Sequence, residues 1–303
     1  MTGVDLSREL RKRGFSADEL ARLSATGKLL HVRRGAYASP TEDDDVRAAH
    51  RRLIEATVRQ SSPAVVVSHA SAALLHDLPV RPEMLDRVDL SRDRAGGGRV
   101  RRWVRLHGVP VEETETVELG GLQVTNLART VLDLACTLPL EQAVPIGDAA
   151  LRAGCKREEL SLAVSDGGRR HGIGAARRAV ALLDPRSESP GESESRVVLA
   201  QHGFPAPTPQ LEVRDRDGRF VGRCDFGWPE LQTLGEFDGR VKYGRTLKPD
   251  GDLEDVLWQE KLREDALRDL GWEVVRWTWW DLHQPAEWLA RLERAFARAR
   301  RLG

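Results

Sequence analysis

The sequence has little that would tie the chain to a membrane, a secretory route or a redox centre. No apolar run approaches the roughly 18–20 residues that a bilayer span needs. The N-terminus is polar from Asp5 onward and reads as no signal peptide, which predicts a cytoplasmic protein. Only three cysteines occur, Cys136, Cys155 and Cys224, and their spacing suits neither a disulfide framework nor a metal motif. They read as small buried hydrophobes. Net charge is also lacking, with Lys+Arg 47 against Asp+Glu 47. That argues against a wholly basic nucleic-acid binder, although local basic patches survive where acidic residues elsewhere cancel them. No internal repeat appears.

What remains is an ordinary globular composition, 40% hydrophobic and 31% charged over 303 residues, and that length suggests about two domains. The stretch that organises the chain runs from Arg219 to Trp280 and is announced by the turn signal just before it. Two alternating runs, Leu211–Arg214 and Phe220–Phe226, flank the Asp217-Gly218 turn signal and predict a β-hairpin. A third run, Thr233–Gly239, carries Glu236 and Asp238 on one face and Phe237 on the other, because a strand turns successive side chains to opposite faces. The same rule sets Asp225 opposite Cys224 and Phe226. Asp225, Glu236 and Asp238 are therefore expected to converge as oxygen ligands for Mg²⁺ (or Mn²⁺), with Lys242 bringing positive charge to the same rim. The plainer alternative is that these acids sit at the solvated ends of a hairpin.

A helix over about Leu253–Leu270, a strand at Trp272–Trp277 and an arginine-rich closing helix follow. A helix containing Glu194 precedes the hairpin. With Asp225, the Glu236-Phe237-Asp238-Gly239 run, Lys261-Leu262-Arg263-Glu264-Asp265 and the Gly271-Trp272…Arg276-Trp277…Trp279…Asp281-Leu282 ending, this region resembles the very-short-patch-repair-like branch of the PD-(D/E)XK endonuclease superfamily. The resemblance implies a restriction-endonuclease-like αβββαβ domain that hydrolyses DNA phosphodiesters with Mg²⁺. It makes Glu194, Asp225, Glu236 and Asp238 the catalytic acids, and Lys242 or Lys261 the catalytic lysine. One departure stands out: the superfamily's Glu-x-Lys is Glu236-x-Asp238 here.

Residues 1–39 are locally basic. A helix carrying Val4, Leu6 and Leu10 is expected to end at Gly14, followed by a second helix with Ser16 and Glu19 as a capping box. A hairpin over Leu29–Ala38 then places Arg33 and Arg34 at its tip. Helix, turn, helix and basic hairpin predict a winged helix-turn-helix in which Arg33 and Arg34 contact DNA phosphate. This stretch, together with Val65–His76 and Val124–Ala135, resembles AbiEi-type antitoxins of type IV toxin–antitoxin systems. The resemblance implies a cognate toxin as a further partner. His69 and His76 lie seven apart, but no Cys or third His accompanies them, so structural histidines are the expectation. The Gly96-Gly97-Gly98 run lacks the Lys-Ser/Thr of a phosphate loop. Arg129 and Asp133 form an i,i+4 ion pair.

The fold class expected is α/β (α+β), divided as residues 1–39, a mixed middle region 40–183, a Pro/Ser/Gly linker 184–191 and a nuclease-like domain 192–303. The functional expectation is a DNA-binding protein with an endonuclease-like domain and no membrane partner. The alternative is a non-catalytic antitoxin-like transcriptional regulator whose nuclease-like domain only binds DNA or a partner.

Overall fold

Side-chain caps from Ser16, Asp45, Asn126 and Ser189 set the starts of four helices, and side-chain alternation marks the strands. A computed structural model describes residues 3–41, 44–61, 65–93, 97–168, 170–239 and 253–302, with side chains in the last span described over 258–299. Lys242 and Gly96, both singled out from the sequence, lie outside the described residues. The protein is mixed α/β and divides into two compact units. One comprises Met1–Pro139 and Ala149–Ala181, the other Leu140–Asp148 and Leu182–Gly303. Among the described residues no helix is long and apolar enough to cross a membrane.

The first unit opens with strand β1 (Val4–Leu6), helices α1 (Ser7–Lys12) and α2 (Ala17–Ala25), and strands β2 (Leu30–Arg33) and β3 (Ala36–Ala38). Val4 and Leu6 therefore lie in a strand, and only Leu10 is helical. Residues two apart point the same way in a strand but about 200° apart in a helix. Both side chains are buried, and β1 pairs antiparallel with β3 in a sheet ordered β1-β3-β2. Ser16 caps α2 by accepting the Glu19 N–H at 3.1 Å.

Helix α3 (Val46–Arg59) leads to strand β4 (Val66–Val67), helix α4 (His69–Leu75) and strands β5 (Val88–Ser91), β6 (Arg99–Val100), β7 (Val104–His107), β8 (Thr116–Leu119) and β9 (Leu122–Thr125). They form one six-stranded mixed sheet, ordered β6-β7-β5-β4-β9-β8, with β5–β7 and β4–β9 parallel. Helix α5 (Leu127–Ala135) follows, capped by Asn126. Its Arg129–Asp133 pair is buried, with Nε to Oδ1 at 2.9 Å, and Arg170 joins Asp133 at 2.6 Å. Helices α6 (Leu140–Arg152), α7 (Arg157–Asp166) and α8 (Ile173–Leu182) come next, and the opening stretch of α6 belongs to the second unit.

The second unit continues with helix α9 (Pro190–Gln201), strands β10 (Thr208–Arg214), β11 (Phe220–Trp228) and β12 (Thr233–Asp238), helix α10 (Leu253–Asp269), strand β13 (Glu273–Thr278) and helices α11 (Trp279–His283) and α12 (Pro285–Leu302). The sheet runs β10-β11-β12-β13, with β12 and β13 parallel and the other neighbours antiparallel. The stretch before α9 is held rather than free. Pro190 starts the helix, where its missing N–H costs nothing, and Ser189 caps it. The buried Ser187 hydroxyl accepts Arg196 Nε at 2.9 Å, and Asp148 Oδ1 accepts the Asp184 N–H at 2.7 Å.

Two apolar layers sandwich this sheet. Val213, Cys224, Leu234 and Leu267 form one; Phe226, Val275, Trp277, Trp288 and Leu292 belong to the other. Trp277 stacks on Phe226 at 5.2 Å and on Trp288 at 4.6 Å, and its indole N–H donates to Ser195 Oγ at 2.7 Å. Cys224 and Phe226 thus face opposite layers, where simple alternation would put them together. The cause lies across the ladder. Gln210 falls between the pairs Pro209↔Phe226 and Leu211↔Cys224, and its φ of 54° is left-handed, which breaks the pleat beside Asp225.

Candidate functional site

The broken pleat sets Asp225 at the junction of β11, β12 and the N-terminus of α9. Asp225 Oδ2 accepts the Phe237 N–H at 2.8 Å, which ties it to the strand carrying Glu236. The α9 acid whose charge raises the Asp225 pKa is Glu192, and Glu194 lies two residues further along the helix. Residues two apart on a helix point about 200° apart, so the two acids cannot share a face. Glu192 is buried and accepts the Glu188 N–H and the Gln210 side-chain amide, both at 2.8 Å onto Oε2. Glu194 is buried as well. Burial first, then Glu192 and Glu236, push the Asp225 carboxyl up to about 6, against the Phe237 hydrogen bond.

Glu236 is held differently. Oε1 accepts Arg263 from α10 at 2.6 Å, and Oε2 accepts Arg276 from β13 at 2.8 Å. Register explains Arg276, since Glu236 and Arg276 are paired across the parallel β12–β13 ladder. Arg276 also reaches Glu260 at 3.1 Å and Glu264 at 3.2 Å. Asp225, Glu236, Asp238, Arg223, Arg263 and Arg276 line one cavity of about 230 Å³. Asp238 is exposed at its edge. Lys261 lines a neighbouring cavity with Glu264, Asp265 and Arg268, and its ammonium stands 6.0 Å from the Trp258 ring.

These residues do not fit a resident Mg²⁺ or Mn²⁺. Hard cations need free oxygen ligands, and both oxygens of Glu236 already take guanidinium donors. A divalent ion there would also meet two like charges at close range. Among the described residues, no three His, Cys, Asp or Glu side chains are grouped to hold a metal. Sequence reasoning counted Arg263 and Arg276 in the resemblance but gave them no role at the site, and it did not single out Glu192. Only the Glu236-to-Arg276 register could have flagged one of them, and that register is a tertiary fact.

The first unit holds a larger cleft of about 650 Å³, lined by Arg33, Arg92, Arg99, Arg101, Arg102 and Trp103, with no carboxylate among its described lining residues. Arg33 turns into it and donates to Thr57 Oγ1 at 2.6 Å, so it is half-buried rather than projecting from the hairpin tip. Arg34 is exposed, and its carbonyl accepts Gln60 Nε2 at 3.1 Å. Arg99, Arg101 and Arg102 are exposed, and the Arg102 guanidinium lies 4.7 Å from the Trp103 ring. Sequence reading gave these arginines no role, because Arg99 opens a short strand and Arg101 and Arg102 join it to the next rather than sitting in a helix–turn–helix.

No family model matches the chain. It is 33% identical over 187 residues to the uncharacterized protein Rv2248 of Mycobacterium tuberculosis (strain ATCC 25618 / H37Rv). The same holds for the uncharacterized protein MT2308 of the CDC 1551 / Oshkosh strain. The match covers 61% of this chain and 66% of each relative, so the chain spans just under two thirds of their length. The crystal structure of the RV2827C protein from Mycobacterium tuberculosis aligns with a TM-score of 0.40 at 18% identity, over 70% of this chain and 84% of that one. A likeness that weak carries no argument.

Proposed function

We propose that this chain is a DNA-binding protein of the antitoxin-like regulator class, in which the nuclease-like sheet binds rather than cleaves. The observation that carries it is the arginine cleft of the first unit. Arginine forks match phosphate oxygens, are always charged and stack on aromatic faces. Five of them around Trp103 and no carboxylate in the described lining suit a nucleic-acid backbone with one base against the indole. In the second unit the Arg263–Glu236–Arg276 clamp favours the non-catalytic reading, because the acid a nuclease would need is already neutralised. The AbiEi resemblance adds a cognate toxin as a proposed partner.

The test is duplex binding by fluorescence anisotropy across a salt series. Replacing Arg99, Arg101 and Arg102 with Ala should weaken binding and lower the slope of log K against log salt by about three, roughly 0.9 for each phosphate no longer neutralised. Unchanged affinity and slope in a folded variant would rule out the cleft as the DNA-binding surface.

A second reading, hydrolysis of DNA phosphodiesters, would require Glu236 to release Arg263 and Arg276 before any Mg²⁺ or Mn²⁺ could bind, and it rests on one arrangement. Asp225 and Glu236 neighbour each other on adjacent strands at one cavity, and Asp225 is held near 6. It requires cleavage by the wild-type protein that disappears in Glu236→Gln and Asp225→Asn while DNA binding persists. If single-stranded, duplex and branched DNA all survive both ions, this reading is removed.

A further inference from the structure

A second cavity of the first unit, of about 370 Å³, lies on the other face of strands that also line the arginine cleft. Side-chain alternation separates the two. Leu90, Val104 and Leu106 line the cleft, whereas Asp89, Arg105 and His107 line this cavity. Its lining combines apolar Met84, Leu134 and Leu138 with polar Asp89, His69, His107 and Arg105.

Asp89 is 1% exposed. Its Oδ1 accepts His107 Nε2 at 2.8 Å and Arg105 Nη1 at 3.3 Å. Its Oδ2 is buried with no hydrogen-bond partner among the described residues. Buried carboxylate oxygens without a donor are rare and call for an explanation. His107 stacks on His69 with ring centroids 3.5 Å apart and planes within 10°. His69 itself starts α4 with a left-handed φ of 50°, and its Nδ1 contacts Ser68 Oγ at 3.0 Å. Burial and the adjacent His107 push His69 down to about 3, so its imidazole supplies no positive charge.

We propose that this cavity binds a small organic cation with an apolar body, an amine or amidine, whose N–H group is taken by Asp89 Oδ2. A carboxylate accepts and cannot donate, so the ligand must bring the proton. The charge around the cavity has the matching sign, because Glu83, Asp86 and Asp89 stand against a single guanidinium, Arg105, among the described lining residues. The apolar lining by Met84, Leu134 and Leu138 requires hydrocarbon or a ring elsewhere on the ligand. A metal ion is not the occupant, since no three His, Cys, Asp or Glu side chains among the described residues are disposed to hold one.

Benzamidine is the probe, with benzamide and benzoate as neutral and anionic isosteres. In the full-length protein labelled with ¹⁵N-histidine, benzamidine should shift the His69 and His107 ring signals saturably. Benzamide and benzoate should bind at least about tenfold more weakly, as expected when a charged hydrogen bond is removed. Asp89→Asn and the cavity-filling Leu138→Trp should each weaken benzamidine by a similar factor. Absence of any histidine shift with benzamidine overturns the proposal. So does benzoate binding as tightly, or a response undiminished in Leu138→Trp. Should Asp89→Asn fail to fold, the isostere comparison on the wild-type protein and Leu138→Trp still decide.

Discussion

Asp225→Asn should make the second unit more stable at neutral pH, even though it alters the candidate site. The carboxyl ordinarily titrates near 3.8 and is pushed up to about 6 in the folded protein. Because the folded state binds this proton more tightly than the unfolded one, the group's contribution is greatest below pH 3.8 and is lost as pH rises through about 6. The gap corresponds to about 3 kcal/mol of cost above pH 6, at roughly 1.4 kcal/mol per tenfold change in proton affinity. Asparagine keeps an acceptor for the Phe237 N–H and removes the charge that Glu192 and Glu236 oppose. Partial exposure and the loss of solvation relief should trim the gain to about 1–2 kcal/mol. The assay is urea unfolding at pH 4.5 and 7.5, followed by tryptophan fluorescence. Seven of the eight tryptophans lie in the second unit, so the signal reports its transition. The variant should gain most on wild type at pH 7.5, and its advantage should shrink to about a third of that at pH 4.5, vanishing only below pH 3.8. Parallel curves at both values, or a variant that is less stable at pH 7.5, would refute the account of Asp225 as a strained acid.

Gly191→Ala should destabilise the same unit by about 1–3 kcal/mol. A Cβ there would stand 1.9 Å from Phe237 Cε1, whose ring packs edge-on against Trp279, so a wild-type melting temperature would contradict this packing. Asp148→Ala should cost about 3–5 kcal/mol, because it strips the buried carboxylate from Arg196, held at 2.6 Å. Burial outweighs the pull of Arg196 and raises the Asp148 carboxyl, so the pair stabilises through satisfaction rather than net attraction. Adding Arg196→Met should therefore recover part of the loss, and strict additivity in chemical denaturation would argue otherwise.

Local chemistry carried the legible part of this fold. The Asp217-Gly218 hairpin, the Ser16 cap and the helix–three-strand–helix–strand order of the second unit follow from turn residues, caps and alternation, and the structure has them. Val4 and Leu6 mislead because three apolar residues fit both a strand followed by a helix and one helix; pairing with β3 decides between them. At the candidate site the sequence points to Asp225, Glu236 and Asp238 but not to what surrounds them. Arg263 and Glu192 reach the site from helices, and the pleat break arises from Gln210 on another strand. None of those contacts has a signature within a short window. The paired histidines show the same limit, for His69 meets His107 rather than His76, whose Nε2 donates to the Thr125 carbonyl at 2.7 Å.

The division of α6 bears on how the chain can be taken apart or inherited. Leu140–Asp148 groups with residues beyond 181, while the rest of the helix groups with what precedes it. Asp148 receives both Arg196 and the Asp184 N–H, and Leu183 occupies the space a side chain at Gly147 would need. A gene fragment starting after residue 181 would encode the four-stranded sheet and the Leu182 and Ser187 acceptors of Arg196, yet leave that guanidinium without its carboxylate. No single cut yields two whole pieces. Transfer of the C-terminal unit between proteins by one recombination event would forfeit that anchoring, so the halves are bound to travel together.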